Sequence, residues 1–120
     1  MLKKEAGIPK PVSQKSNGQP RVIPSTYVPA RNLIFLSFAL SYAEAIKAQT
    51  VFIGAHAQDY SGYPDCRPDF YRAFRKAAAR GTKSGVEKQA VKIETPIINK
   101  GKAAIIRLGV SLGVPFALTW

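Results

Sequence analysis

The sequence predicts an α/β fold, a parallel sheet with flanking helices, of which this chain holds an incomplete part. Three observations predict it. Thr50-Val51-Phe52-Ile53-Gly54-Ala55 is a short, continuous apolar run rich in β-branched residues, the pattern of a parallel strand covered on both faces. Val91-Lys92-Ile93-Glu94-Thr95 is a second strand-like run, and its alternation places it nearer a sheet edge. Segments of helical spacing precede, separate and follow the two, which is the β-α-β order of a crossover connection. A parallel sheet needs both faces covered and neighbours for its edges. Two or three strands cannot provide that, so part of the sheet is expected to be missing.

Composition narrows the class. The chain has 120 residues, enough for one small domain or part of a larger one, and 46% of them are hydrophobic, enough for a packed core. It carries 18 basic and 7 acidic residues, a net charge of +11. The charge is uneven: +5 over residues 1–31, −2 over 32–70 and +8 over 71–120. Such a balance favours polyanions, either phosphate-bearing ligands or nucleic acid, or serves only to keep the chain soluble. The single Cys66 excludes an intrachain disulfide and a self-contained cysteine metal site, and a reduced, cytoplasmic location is the natural expectation. Lys3, Lys4 and Glu5 follow Met1 without an apolar run, so no signal peptide is expected. The apolar run 33–46 is too short and too polar to span a bilayer, so no membrane partner is expected.

Residues 1–26 hold four prolines among Gly, Ser and Asn with almost no apolar periodicity, and read as a flexible basic segment. The structured portion is expected over 27–120. Asn32 is a good N-cap for a first helix running to about Lys47. Leu33, Leu36, Leu40 and Ala43 form one stripe on it, and Phe35, Phe38 and Tyr42 form another, so burial on most sides is expected. Arg31 then sits at a helix N-terminus, a favourable place for an anion or simply a surface ion pair. After the first strand, His56 could act as a base, although a lone histidine there more often only hydrogen-bonds.

The loop Asp59-Tyr60-Ser61-Gly62-Tyr63-Pro64-Asp65-Cys66-Arg67-Pro68 is where the chemistry concentrates. Gly62 and Pro64 forbid regular structure through its middle. Loops after strands in α/β sheets are where such domains bind ligands. Aromatic faces combined with both charge signs argue against a plain solvated turn. Pro68 and Asp69 suit the start of a second helix, expected through Arg80, with Phe70, Ala73, Phe74, Ala77 and Ala78 as its apolar face and Gly81 ending it. Gly81-Thr82-Lys83-Ser84-Gly85 reads as either a small anion nest or a flexible turn. A last helix is expected through Leu112, with Lys102 in its first turn, where a lysine is unfavourable unless an anion shares the site. Val114 to Trp120 reads as a third extended piece.

These residues carry a resemblance. The loop resembles the signature of the 7-cyano-7-deazaguanine synthase family, ATP-dependent enzymes of queuosine biosynthesis in the PP-loop ATPase superfamily. Ile23-Pro24-Ser25-Thr26-Tyr27-Val28-Pro29-Ala30-Arg31-Asn32 and Phe35-Leu36-Ser37 resemble the family upstream. Gly81-Thr82-Lys83, Thr95-Pro96-Ile97-Ile98-Asn99, Ser111-Leu112-Gly113-Val114 and Leu118-Thr119-Trp120 resemble it downstream, in the right order. The resemblance implies part of a Rossmann-like, adenine nucleotide alpha hydrolase-like sheet. It also implies what is missing: a first strand with a Ser-Gly-Gly-x-Asp-Ser phosphate loop, and a Cys-rich segment supplying four zinc ligands. The chain therefore resembles the C-terminal half of the synthase, truncated at both ends. Four residues depart from the pattern. His56 stands where the family has asparagine. Gly101 replaces a serine before the lysine of the second phosphate motif, and Ala103 and Ala104 stand where an acid follows it.

The implied reaction converts 7-carboxy-7-deazaguanine and ammonia to the nitrile, with ATP and Mg, through an amide. The resemblance implies substrate contacts from Arg31, Asn32, Asp59, Tyr60, Ser61, Tyr63, Asp65 and Arg67, and ATP or phosphate contacts from Thr82, Lys83 and Lys102. Within that set, Tyr60 or Tyr63 would stack on the deazapurine, Asp59 or Asp65 would accept from its guanine-like edge, and Arg67 would pair with its carboxylate. No residue is assigned as catalytic and none as a metal ligand. Zinc belongs to the complete family, and its ligands are absent from this sequence. A separate N-terminal half or a homo-oligomer partner is expected to be needed, and the isolated chain is expected to be inactive. The alternative is a small basic nucleic-acid-binding protein. The aromatics cluster in the acidic segment and not among the basic residues, which disfavours nucleic acid as a partner.

Overall fold

The structure is a computed structural model and describes residues 23–59 and 62–119. Most of the basic segment expected over 1–26 lies outside the described residues, as do Tyr60 and Ser61 of the loop.

A first helix, α1 (Arg31–Ala45), leads into strand β1 (Thr50–Phe52). A 3-10 turn (Pro64–Cys66) carries the chain from the loop into α2 (Pro68–Gly81). The short α3 (Lys83–Val86) precedes strand β2 (Lys92–Glu94). Helix α4 (Lys102–Ser111) and a 3-10 turn (Phe116–Leu118) follow. The strands pair in parallel, Val51 opposite Ile93, so α2 and α3 form the crossover between them. This is the expected α/β class.

The core lies between α1, α2 and the sheet. Leu36, Leu40 and Ala43 meet Tyr71, Phe74 and Ala78, with Ala55, Val91 and Ile93 beneath them. Arg75 fastens α2 to the sheet: its Nε donates to the Ile93 carbonyl at 2.7 Å. The Glu44 carboxylate fastens α1 to α3 by accepting from the Ser84 N–H at 2.6 Å.

Several expectations are corrected. Both strands are shorter than their apolar runs, because Pro96 cannot donate to the ladder and the chain turns at Thr95. The N-cap of α1 is Ala30, in a left-handed conformation at φ 55°, and not Asn32, which is already helical. The buried face of α2 runs through Tyr71, Phe74 and Ala78, while Ala73 and Ala77 face solvent. Of the two α1 stripes only Leu36, Leu40 and Ala43 are buried: Leu33 is exposed, and Phe35, Phe38 and Tyr42 are 61%, 73% and 68% exposed. Phe52 at the end of β1 is similarly open. No residue of α4 is buried, and the expected third extended piece is a 3-10 turn after the left-handed Gly113. Among the described residues the sheet has two strands, and the stripe of Phe35, Phe38 and Tyr42 on α1 has no element packed over it.

Helices α1 and α3 end alike. After α1, the Lys47 N–H donates to Glu44 and the Ala48 N–H to Ala43; after α3, the Lys88 N–H donates to Gly85 and the Gln89 N–H to Ser84. Lys47 and Lys88 both hold φ 60° to make these turns. Glycine normally fills that position, and a residue with a Cβ pays about 1 kcal/mol there.

Candidate functional site

A cavity of about 320 Å³ opens at the C-terminal end of β1, where α/β sheets bind ligands. The backbone of Ile53, Gly54 and Ala55 continues from the strand to form one wall. Arg31 and Asn32 at the head of α1 form another, and Asp59, Tyr63 and Cys66 of the loop close it.

The loop is fixed to the head of α1 by Asn32 and Asp65. Asp65 Oδ2 accepts from the Asn32 N–H at 2.9 Å, and Asn32 Nδ2 donates to the Asp65 carbonyl at 3.1 Å. The same Nδ2 lies 3.1 Å from Cys66 Sγ. Asp65 and Cys66 are buried. A carboxylate at the first turn of α1 is also well placed for the helix dipole. Burial pushes the Cys66 thiol up to about 11, helped by the charges of Asp65 and Asp59, so it carries its proton at neutral pH. Burial likewise pushes the Tyr71 hydroxyl well above its ordinary value.

Asp59 stands differently. Its Oδ2 accepts from the His56 N–H at 3.3 Å and lies 3.4 Å from His56 Nε2. His56 Nδ1 accepts from the Gln58 N–H, so Nε2 carries the proton of the neutral ring. Histidine here holds the loop's first carboxylate. Tyr63 is steadied by Thr26, whose Oγ1 is 2.6 Å from the phenol oxygen, and Gly62 packs against Pro24. The residues just before Tyr27 therefore brace the loop.

Arg67 does not line the cavity, and its Nε is buried without a hydrogen-bond partner among the described residues, as is the Tyr71 hydroxyl. Tyr71 was invisible in the apolar reading of α2. Its signal was the Tyr71, Phe74, Ala78 spacing, which is a helical face one residue removed from the one chosen. Ile53, Gly54 and Ala55 were read only as strand, although residues beyond a strand's last ladder bond are natural cavity walls.

The phosphate candidates lie apart from this cavity. Gly81–Gly85 is no anion nest. Thr82 caps α3, its Oγ1 accepting from the Gly85 N–H and donating to the Ala78 carbonyl. Glu44 already fills the head of α3, and Lys83 is exposed beside Glu87. A phosphate does not fit there. Lys102 opens α4 after Gly101, which offers no side-chain cap, so the first amides of that helix remain available to an anion. No group of three His, Cys, Asp or Glu side chains suited to a metal gathers among the described residues, so the residues present do not fit zinc. Nor, among the described residues, is any helix long and apolar enough to cross a membrane.

Known proteins resemble this chain over most of its length. The family model described as "Queuosine biosynthesis protein QueC" matches residues 1–120. A 7-cyano-7-deazaguanine synthase from Nostoc punctiforme is 62% identical over 98 residues, 82% of this chain and 44% of that protein. One from Acetivibrio thermocellus is 60% identical over 97 residues, 81% of this chain and 44% of the relative. One from Alcanivorax borkumensis is 58% identical over 97 residues, with the same coverage. The chain thus spans less than half the length of the curated relatives it matches. The resemblance seen in the loop holds across nearly the whole described chain, and the chain belongs to the queuosine biosynthesis QueC family.

Proposed function

We propose that this chain supplies the substrate loop and adjoining sheet of a 7-cyano-7-deazaguanine synthase. The reaction takes 7-carboxy-7-deazaguanine and ammonia to the nitrile, with loss of water in two activated steps. ATP, with Mg, supplies the activation that makes the carboxylate oxygen and then the amide oxygen displaceable. The observation that supports this reading is the cavity after β1, which gathers Arg31, Asp59 and Tyr63 from the segments whose sequence resembles the family.

The geometry sorts the candidate contacts. Asp65 is engaged with Asn32 and does not line the cavity, whereas Asp59 does; with its Oδ2 held by His56, Asp59 would accept from the amino and ring N–H edge of a guanine-like base through its other oxygen. The Tyr63 ring is the stacking wall. Arg31, exposed at the head of α1, meets the substrate carboxylate or a phosphate oxygen. Lys102 and the open amides of α4 take a phosphate. Arg67, which does not line the cavity, is left without a direct substrate contact in this reading. Positioning and charge stabilisation are the terms these residues offer.

A chimera tests the reading. Residues 23–120 of this chain replace the matched segment of the Nostoc punctiforme relative, and nitrile formation is followed by mass spectrometry. The expected result is product from the chimera and a loss of roughly a hundredfold or more for Asp59→Ala within it. A folded chimera that consumes ATP yet yields no amide or nitrile would overturn the proposal.

A further inference from the structure

A second groove, of about 790 Å³, lies at the opposite end of the strands from the cavity. Its walls are the turn after α1, the α3 segment and the entry to β2. Lys47, Lys83, Lys88 and Lys92 line it together with the carboxylates of Glu44 and Glu87, an excess of two positive charges. Glu87 lies 3.8 Å from Lys83, and Glu44 is engaged with the Ser84 N–H. Among the described residues, no carboxylate lies within ion-pair distance of Lys47, Lys88 or Lys92.

Two of these cations are kept where lysine is disfavoured. Lys47 and Lys88 each occupy the left-handed residue that closes a helix, the place where glycine is free of strain. An unusual backbone conformation held by a side chain with no partner points to a use for that side chain. Both side chains belong to the same groove.

We propose that this groove binds the phosphate backbone of a nucleic acid. The ligand is an extended phosphodiester and not a compact phosphate, because the amide at the head of α3 is already filled by Glu44 and no backbone nest remains. Ammonium groups set along an open trough are point charges, suited to a repeating backbone. The net charge of +11 adds attraction at longer range. The groove is separate from the substrate cavity, and the inference stands independently of the proposed reaction.

The test titrates the full chain with a labelled single-stranded RNA oligonucleotide over a salt series. Inorganic tripolyphosphate is the competitor. Lys47→Gly with Lys88→Gly removes two groove charges and at the same time relieves two left-handed lysines, so the fold is retained. Lys76→Ala with Arg107→Ala removes two exposed charges that do not line the groove. The glycine pair should weaken RNA binding roughly tenfold at low salt and lower the slope of log K against log salt by about 1.4. Its thermal midpoint should be equal or higher. The control pair should lose far less, and Lys47→Arg with Lys88→Arg should bind as the parent does. Equal losses from both pairs, no RNA binding by the parent, or tripolyphosphate binding as tight as RNA would each overturn the proposal.

Discussion

Asn32 and Asp65, 33 residues apart, hold each other by two hydrogen bonds that run in opposite senses between backbone and side chain. One joins the Asn32 N–H to the Asp65 carboxylate, and the other joins the Asn32 amide to the Asp65 carbonyl. The loop is therefore located relative to α1 before any ligand arrives.

Asp65→Ala leaves the Asn32 N–H without its acceptor at a half-buried position. A loss of about 2 kcal/mol is expected, read in urea unfolding of the chain. Asp65→Asn keeps an acceptor oxygen and should lose clearly less. Equal losses would mean that the charge, and not the hydrogen bond, holds the loop.

Cys66 should behave as an inert thiol over the neutral range. Its folded value of about 11 lies above the ordinary 9.0, so the native chain keeps this proton longer than the unfolded one. Its contribution to stability is full below pH 9 and is lost as pH rises toward about 11. Alkylation by iodoacetamide at pH 7.5 should be much slower than for a free thiol, and should approach the free rate when urea unfolds the chain. Rapid alkylation of the folded chain would contradict the burial.

Glu44 titrates in the other direction. The Ser84 backbone N–H, then the Ser84 side chain, hold its carboxyl below the ordinary 4.5. A lowered value means stability that is present above about pH 4.5 and lost as pH falls through the folded value. Glu44→Gln should flatten that acid limb in melting curves taken between pH 6 and pH 3. An unchanged limb would place the acid sensitivity elsewhere.

Gly85 is required by its neighbour. A Cβ there would sit 2.5 Å from the Ala79 carbonyl oxygen and 2.7 Å from its Cα, both backbone atoms that cannot swing away. Gly85→Ala should destabilise by about 2 kcal/mol as α3 is pushed from α2. Gly54→Ala, with nothing within 4 Å of the added atom, is the comparison and should change the melting point little.

How much of this was legible in the sequence differs from element to element. The strands declared themselves because Val51, Phe52 and Ile93 sit in short β-branched runs, and α2 because Pro68 and Asp69 mark its start. The loop was legible as a site because its charges and aromatics crowd between two apolar elements. The role of Asn32 was not legible, since a good cap and a long-range partner of Asp65 look the same until residue 65 is brought back beside residue 32. The open stripe of Phe35, Phe38 and Tyr42 was read as buried because periodicity reports hydrophobicity, not what covers it. Gly81–Gly85 misled for a similar reason. Glycine and lysine suggest a phosphate cradle, but the Thr82 hydroxyl reaches the Gly85 amide first and turns the segment into a helix.

Helix α1 is pinned at both of its ends, to the loop through Asn32 and to α3 through Glu44. Its 15 residues at about 1.5 Å each make a strut of roughly 22 Å. A strut clamped at both ends cannot slide at one without loading the other. The wall of the cavity at Arg31 and the rim of the groove at Lys47 thus stand at the two ends of one rod, held a fixed distance apart.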